Sequence, residues 1–184
     1  MMKKILTFFV LLLTLSAVMA VDLANYPEMF LVDVSGKLYL NALIVVGNNA
    51  AASDVIGAID IATSLNYYTK STSQMQKSIE AVLASEVRGK ELEKNLILIG
   101  GPCINSATAA VLGFPKDCAE GFVNGKGKIE LYENNGYIAL VIAGYSGEDT
   151  RLASKVLAEK MYDLTGSKIE VAGSTMKDIT ITPQ

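Results

Sequence analysis

Histidine is absent from all 184 residues. That excludes Ser-His-Asp and Cys-His catalysis and every His-ligated metal site. Carboxylate chemistry, Ser-Lys pairs and oxygen-ligated cations remain. Cysteine is nearly absent: Cys103 and Cys118 are the only two, and they lack the C-x-x-C spacing or further ligands of a redox or metal centre. No G-x-G-x-x-G or Walker sequence accompanies the glycines, and no asparagine begins an N-x-[ST] sequon. Basic residues never cluster, and the formal charge is −3. An acidic chain of this kind argues against nucleic acid or an anionic lipid surface as partner. No cofactor and no metal are expected.

The N-terminus is set apart from the rest. Lys3 and Lys4 precede an unbroken apolar run from Ile5 to Leu13, and small residues continue to Ala20, with Val18 and Ala20 at −3 and −1 of a small-residue cleavage site. This is the layout of a secretory signal peptide over 1–20, and the run is short of the roughly 20 residues that span a bilayer comfortably. An uncleaved N-terminal anchor is the alternative. Removal of 1–20 leaves 14 basic against 19 acidic residues, a formal charge of −5. No second long apolar stretch follows, so the exported protein is expected to be soluble outside the membrane unless a partner holds it there. Residues 21–184 suffice for one domain with a real core. In an exported chain two cysteines read first as a disulfide, here closing a loop of roughly 15 residues and contributing about 3 kcal/mol in the chain-entropy model.

What is present is a repeated grammar. Asn95 to Ala110 reads N-L-I-L-I-G-G-P-C-I-N-S-A-T-A-A: four apolar residues, a glycine turn that stops any helix, then small helix-compatible residues. The same order recurs as V-V-G-N-N before a helix at about 54–66, and as V-I-A-G-Y before a helix running to about Leu164. Ser53-Asp54 is an N-cap signal, and Ser146 with Asp149 has capping spacing. A second helix is expected after the polar stretch 66–72, with Ser71 and Gln74 at capping-box spacing and Met75, Ile79, Val82 and Leu83 on one face. Asn134-Asn135-Gly136 between two β-rich runs predicts a hairpin of about 128–132 and 137–143. Strands are also expected at 29–34, 41–46 and 168–172, with a possible edge strand at 179–181. Strands alternating with helices imply an α/β fold, a mainly parallel sheet flanked by helices in a loosely flavodoxin-like or Rossmann-like way, with one β-hairpin.

In such a sheet the glycine turns fall together at the carboxyl ends of the strands, where ligands of open α/β folds bind. The candidate cleft takes Asn48, Asn49 and Asp54 from the first turn and Gly100, Gly101, Asn105 and Ser106 from the second. Ser146, Glu148, Asp149 and Thr150 come from the third. Helix N-termini favour anions, but Asp54, Glu148 and Asp149 already supply negative charge. Such a site suits a neutral polyol or sugar, or an oxygen-ligated cation, better than a phosphate. The same acids serve equally as N-caps, with the glycines simply turning the chain. For an enzyme, paired carboxylates among Glu130, Glu133, Glu148 and Asp149 are the least excluded chemistry. Ser154-Lys155 lies within a helix, where neighbours point apart, and Tyr67-Tyr68 could stack on a sugar or pack at an interface.

Several of these stretches together resemble one family. They are D-L-A-N-Y-P-E (22–28), V-V-G-N-N-A-A-A-S-D-V-I-G-A-I-D-I-A (45–62), N-L-I-L-I-G-G-P-C-I-N (95–105), C-A-E-G-F (118–122) and A-L-V-I-A-G-Y-S-G-E-D-T-R-L-A-S-K-V-L (139–157). In collinear order they are similar to the archaeal S-layer protein family, as a single copy of its duplicated α/β module. The resemblance implies a non-catalytic, secreted cell-envelope protein that self-associates or binds other envelope components, glycan among the partners to be expected. Members of that family are several times longer and often glycosylated, whereas this sequence matches one module and carries no sequon. A lattice subunit needs at least two distinct contact surfaces for open assembly. The rival expectation is a glycan- or small-molecule-binding module, or a carboxylate-dependent hydrolase, using the strand-end cleft.

Overall fold

Three parallel strands buried on both faces form the centre of the sheet, with a short exposed edge strand on one side and strands buried on one face on the other. A computed structural model describes residues 21–72, 79–159 and 163–184. The expected signal segment lies outside the described residues, as do Gln74 and Met75 of the expected second helix and the side chains of Tyr67 and Tyr68. The chain enters through two 3-10 turns, Leu23–Asn25 and Glu28–Phe30, which bury Leu23, Tyr26 and Phe30. The strand expected from Met29 therefore begins later. Strand β1 (Leu31–Val34) pairs antiparallel with β2 (Lys37–Leu40) as a separate two-stranded ribbon.

The main sheet has seven strands. They are β3 (Leu43–Val46), β4 (Ala81–Leu83), β5 (Leu96–Ile99), β6 (Lys126–Asn134), β7 (Tyr137–Gly144), β8 (Lys168–Ala172) and β9 (Thr180–Pro183). Their spatial order is β4-β3-β5-β7-β6-β8-β9. The first four are parallel, and every pairing from β7 through β6 and β8 to β9 is antiparallel. The fold is thus mixed α/β, and the expectation of a mainly parallel, flavodoxin-like sheet holds for only one half. The hairpin turns the direction: Asn135 and Gly136 both have positive φ, 51° and 82°, as the tight turn between right-twisted strands requires. Beyond it the chain continues antiparallel through β8 and β9.

A second correction concerns residues 66–83. Helix α1 (Ala52–Thr72) runs through the expected polar connection. Val82 and Leu83, expected on a helix, lie in β4 and pair in parallel with Val45 and Val46. A short apolar run fits either period. The unpaired edge of β3 decides it, by accepting the backbone groups of Ala81–Leu83 into a ladder.

Alternation along the strands builds two cores. Ile44, Val46, Ile97, Ile99, Leu140 and Ile142 face α1 and α3 (Gly147–Glu159), meeting Ile61, Leu65, Val156 and Leu157. Val45, Leu96, Leu98, Val141 and Ala143 face the other way, under α2 (Ser106–Val111) and the 3-10 turn Ala84–Glu86. Burial on both sides is why these strands read as continuous apolar runs, as parallel strands do. Strand β6 instead alternates: Ile129 and Leu131 join the first core, while Lys128, Glu130 and Tyr132 lie on the far face. There Lys126 pairs with Glu170 at 2.7 Å, and the Lys168 ammonium sits 4.8 Å from the Tyr132 ring centre.

Candidate functional site

The turns after β3, β5 and β7 do meet at one edge, because those strands are parallel neighbours. Glycine is needed there for closeness. A Cβ at Gly47 would run into the carbonyl of Ile104, and one at Gly144 would run into Asp149 and the Thr150 amide. Each turn is packed against the helix that follows it or against its neighbour. The expected grouping of residues is therefore real, but most of their polar atoms are already engaged.

Asn105 is fully buried at the centre. Its Nδ2 donates to the carbonyls of Val45 at 3.1 Å and Ile99 at 2.9 Å, and its Oδ1 accepts from the amides of Ala107 and Thr108. One side chain thus joins the ends of β3 and β5 and caps α2. Thr108 adds a bond from its hydroxyl to the Gly100 carbonyl at 2.9 Å. Asn48 is turned away, bridging to Ser85 by two bonds of 2.8 and 3.0 Å, and Ser106 is exposed.

The third turn is a capping box. The Ser146 amide and hydroxyl donate to Asp149 Oδ2 at 3.1 and 2.9 Å, and the Asp149 amide donates back to Ser146 Oγ at 3.2 Å. Asp149 Oδ2 also accepts from the Gly125 amide at 3.3 Å, tying the start of β6 to α3. Thr150 accepts from the Gly144 amide at 3.0 Å and donates to the Ser146 carbonyl at 3.1 Å. Glu148 is exposed. Glu130, raised earlier as a carboxylate, accepts from Tyr132 on the far face of the sheet. Ser154 is buried and donates to the Thr150 carbonyl at 2.9 Å, so it forms no dyad with Lys155.

A cleft of about 210 Å³ remains between the second and third turns. Of the residues expected there, Asn49, Asp54, Gly101, Ser146 and Thr150 line it. Sequence reasoning missed its apolar walls: Pro102, Ile104, Phe122, Tyr145 and the disulfide itself. Cys103 and Cys118 are joined, with Cα atoms 4.9 Å apart, which pins the 113–125 loop beside the cleft. The aromatic in V-I-A-G-Y and the one in C-A-E-G-F were the available signals for Tyr145 and Phe122.

Asp54 is the exception to the engaged pattern. It has no solvent exposure; its Oδ2 accepts from the Ala51 amide at 3.0 Å, while its Oδ1 has no hydrogen-bond partner. Burial pushes its carboxyl above the ordinary carboxylate range, and the charge of Glu148 adds to the rise. The Thr150 hydroxyl lies beside Asp54 and opposes part of that rise, while its hydrogen bond runs to the Ser146 carbonyl at 3.1 Å. Among the described residues no cluster of three or more His, Cys, Asp or Glu could hold a metal ion. A second hollow, about 320 Å³, lies at the opposite edge between Asn41, Glu80, Glu93, Lys94 and Tyr137. That edge, at the amino ends of the parallel strands, is not where α/β sheets place ligands.

Fold and site together define a mixed α/β module in which the polar residues of the strand ends are built into the scaffold. The model of the S-layer like family, outer domain, matches residues 66–161, just over half of the chain. The chain belongs to the S-layer like family. An S-layer protein of Methanothermococcus thermolithotrophicus is 29% identical over 154 residues, covering 76% of this chain and 26% of its own length. The chain thus spans about a quarter of the curated relative it matches. Family and relative place it at the cell surface, in the S-layer, as a cell-envelope structural module.

Proposed function

We propose that the protein is an exported, non-catalytic association module of the cell envelope, held there by contacts with other S-layer modules or with copies of itself. The observation that carries this reading is the engagement of Asn48, Asn105, Ser146, Asp149 and Thr150 in turns and caps. Groups bonded in this way are unavailable as acid, base or nucleophile without dismantling the sheet edge. Export rests on the 1–20 segment and fits the Cys103–Cys118 disulfide, a bond of oxidising compartments. Association is supported by α1, whose outer face leaves Val55, Ile56 and Ile59 exposed while its inner face packs on the sheet.

Fractionation of source cells tests the proposal. The expected result is a protein that sediments with the envelope, has an intact mass beginning at Val21, and is released by Ile59→Glu without loss of fold. Recovery in the soluble medium with residues 1–20 still attached would overturn it, as would an envelope-processing activity lost on Glu148→Gln.

A further inference from the structure

We propose that the cleft between the Gly101 and Gly144 turns binds a neutral, hydroxyl-bearing ligand the size of one sugar ring, with Oδ1 of Asp54 accepting from one of its hydroxyls. Buried polar atoms in folded proteins are satisfied almost without exception, and each exception calls for a partner. Asp54 lies on the lining of this cleft with one oxygen buried and unbonded, while the side chains of Ser146, Asp149 and Thr150 beside it are paired.

The chemistry of the walls selects the class. An anion is repelled by Asp54 and by Glu148 at the start of α3. A metal cation lacks a ligand set among the described residues. It also meets the N-termini of α1 and α3 side by side, since a Cβ on Gly147 would run into the Ser53 hydroxyl. The positive ends of two helices already offset the carboxylate and oppose a further full charge. A hydroxyl donor needs only the free oxygen. Phe122, Tyr145, Pro102 and the disulfide then cover an apolar ring face, and Tyr145, 58% exposed, stands free at the mouth. At about 210 Å³ the space is below that of a drug-sized site and admits one ring rather than a chain.

This inference does not depend on the association reading: envelope retention and ligand binding are measured separately. The test is amide NMR of the full chain titrated with glucose, mannose, galactose and N-acetylglucosamine, with calcium chloride and butylammonium chloride as cation arms. At least one sugar should shift the amides of Gly101 and 145–147. Asp54→Ala should weaken its binding about tenfold or more, the effect of losing a hydrogen bond to a charged group. If Asp54→Ala does not fold, the exposed Tyr145→Ala should still weaken binding several-fold. Absence of any sugar-induced shift at these amides would overturn the proposal. So would binding unchanged in Tyr145→Ala, or tighter binding of either cation than of every sugar.

Discussion

Removing the Asn105 side chain should destabilise the protein more than any other single truncation of a polar residue at this edge. Asn105→Ala deletes four hydrogen bonds at once: two to the buried carbonyls of Val45 and Ile99, and two from the first amides of α2. Loss of an N-cap costs about 1 kcal/mol. Each buried acceptor left without its partner adds about 1 kcal/mol or more, at the low end for carbonyls that retain a ladder bond. The expected total is about 3 kcal/mol, with a range of about 2–5, against a global stability of about 5–15 kcal/mol for a domain of ordinary size. Urea unfolding followed by circular dichroism gives the value, provided the slope with denaturant is unchanged. A loss below about 1 kcal/mol would refute the reasoning, because it would mean that water or relaxation replaces all four bonds.

Asn105→Asp sharpens the same prediction. The introduced carboxylate keeps the cap acceptor but turns an oxygen toward two carbonyls. Its folded pKa must lie above the unfolded value of about 3.9. The sign follows: the protonated form can donate to one carbonyl, so the variant is least destabilised below about pH 4 and loses stability as pH rises through its folded pKa. A cost independent of pH from 3 to 7 would contradict the assigned orientation of the amide.

Two further outcomes are expected. Replacing both cysteines with alanine should lower stability by about 3 kcal/mol in the chain-entropy model, and reductant should act on the parent protein in the same direction; an unfolding midpoint unmoved by either would contradict this. Asp54 has a raised folded pKa, so its ionisation withdraws stability as pH rises above the unfolded value near 3.9. Asp54→Asn, which keeps the acceptor for the Ala51 amide, should therefore gain stability relative to the parent between about pH 4 and 7. A constant difference across that range would show that Oδ1 is solvated.

Local signals account for much of what the sequence disclosed. The strand–glycine–helix order at Val46, Ile99 and Gly144, the turn at Asn135-Gly136 and the Ser146–Asp149 cap are each written in a few consecutive residues. They determine where elements start and stop, and they bring the three turns to a common edge once the strands are parallel. The disulfide was legible for a different reason: two cysteines, in a chain expected to be exported, leave one pairing.

Three matters were decided only in the folded molecule. Ala81–Leu83 became a strand because β3 offered an unpaired edge, a partner about 37 residues away in the chain. The sheet became half antiparallel because β6 sits outside β7 and then accepts β8, an order that no local period encodes. The Asn95–Ala110 stretch has the residues of a ligand-cradling turn. Yet burial of Asn105 against two strand ends made that turn a joint of the scaffold, and left Asp54, on a different turn, with a buried acceptor that has no hydrogen-bond partner. Backbone propensity acts over a few residues. Desolvation and hydrogen-bond satisfaction depend on what tertiary packing places nearby, and here they separated a structural turn from a candidate binding group.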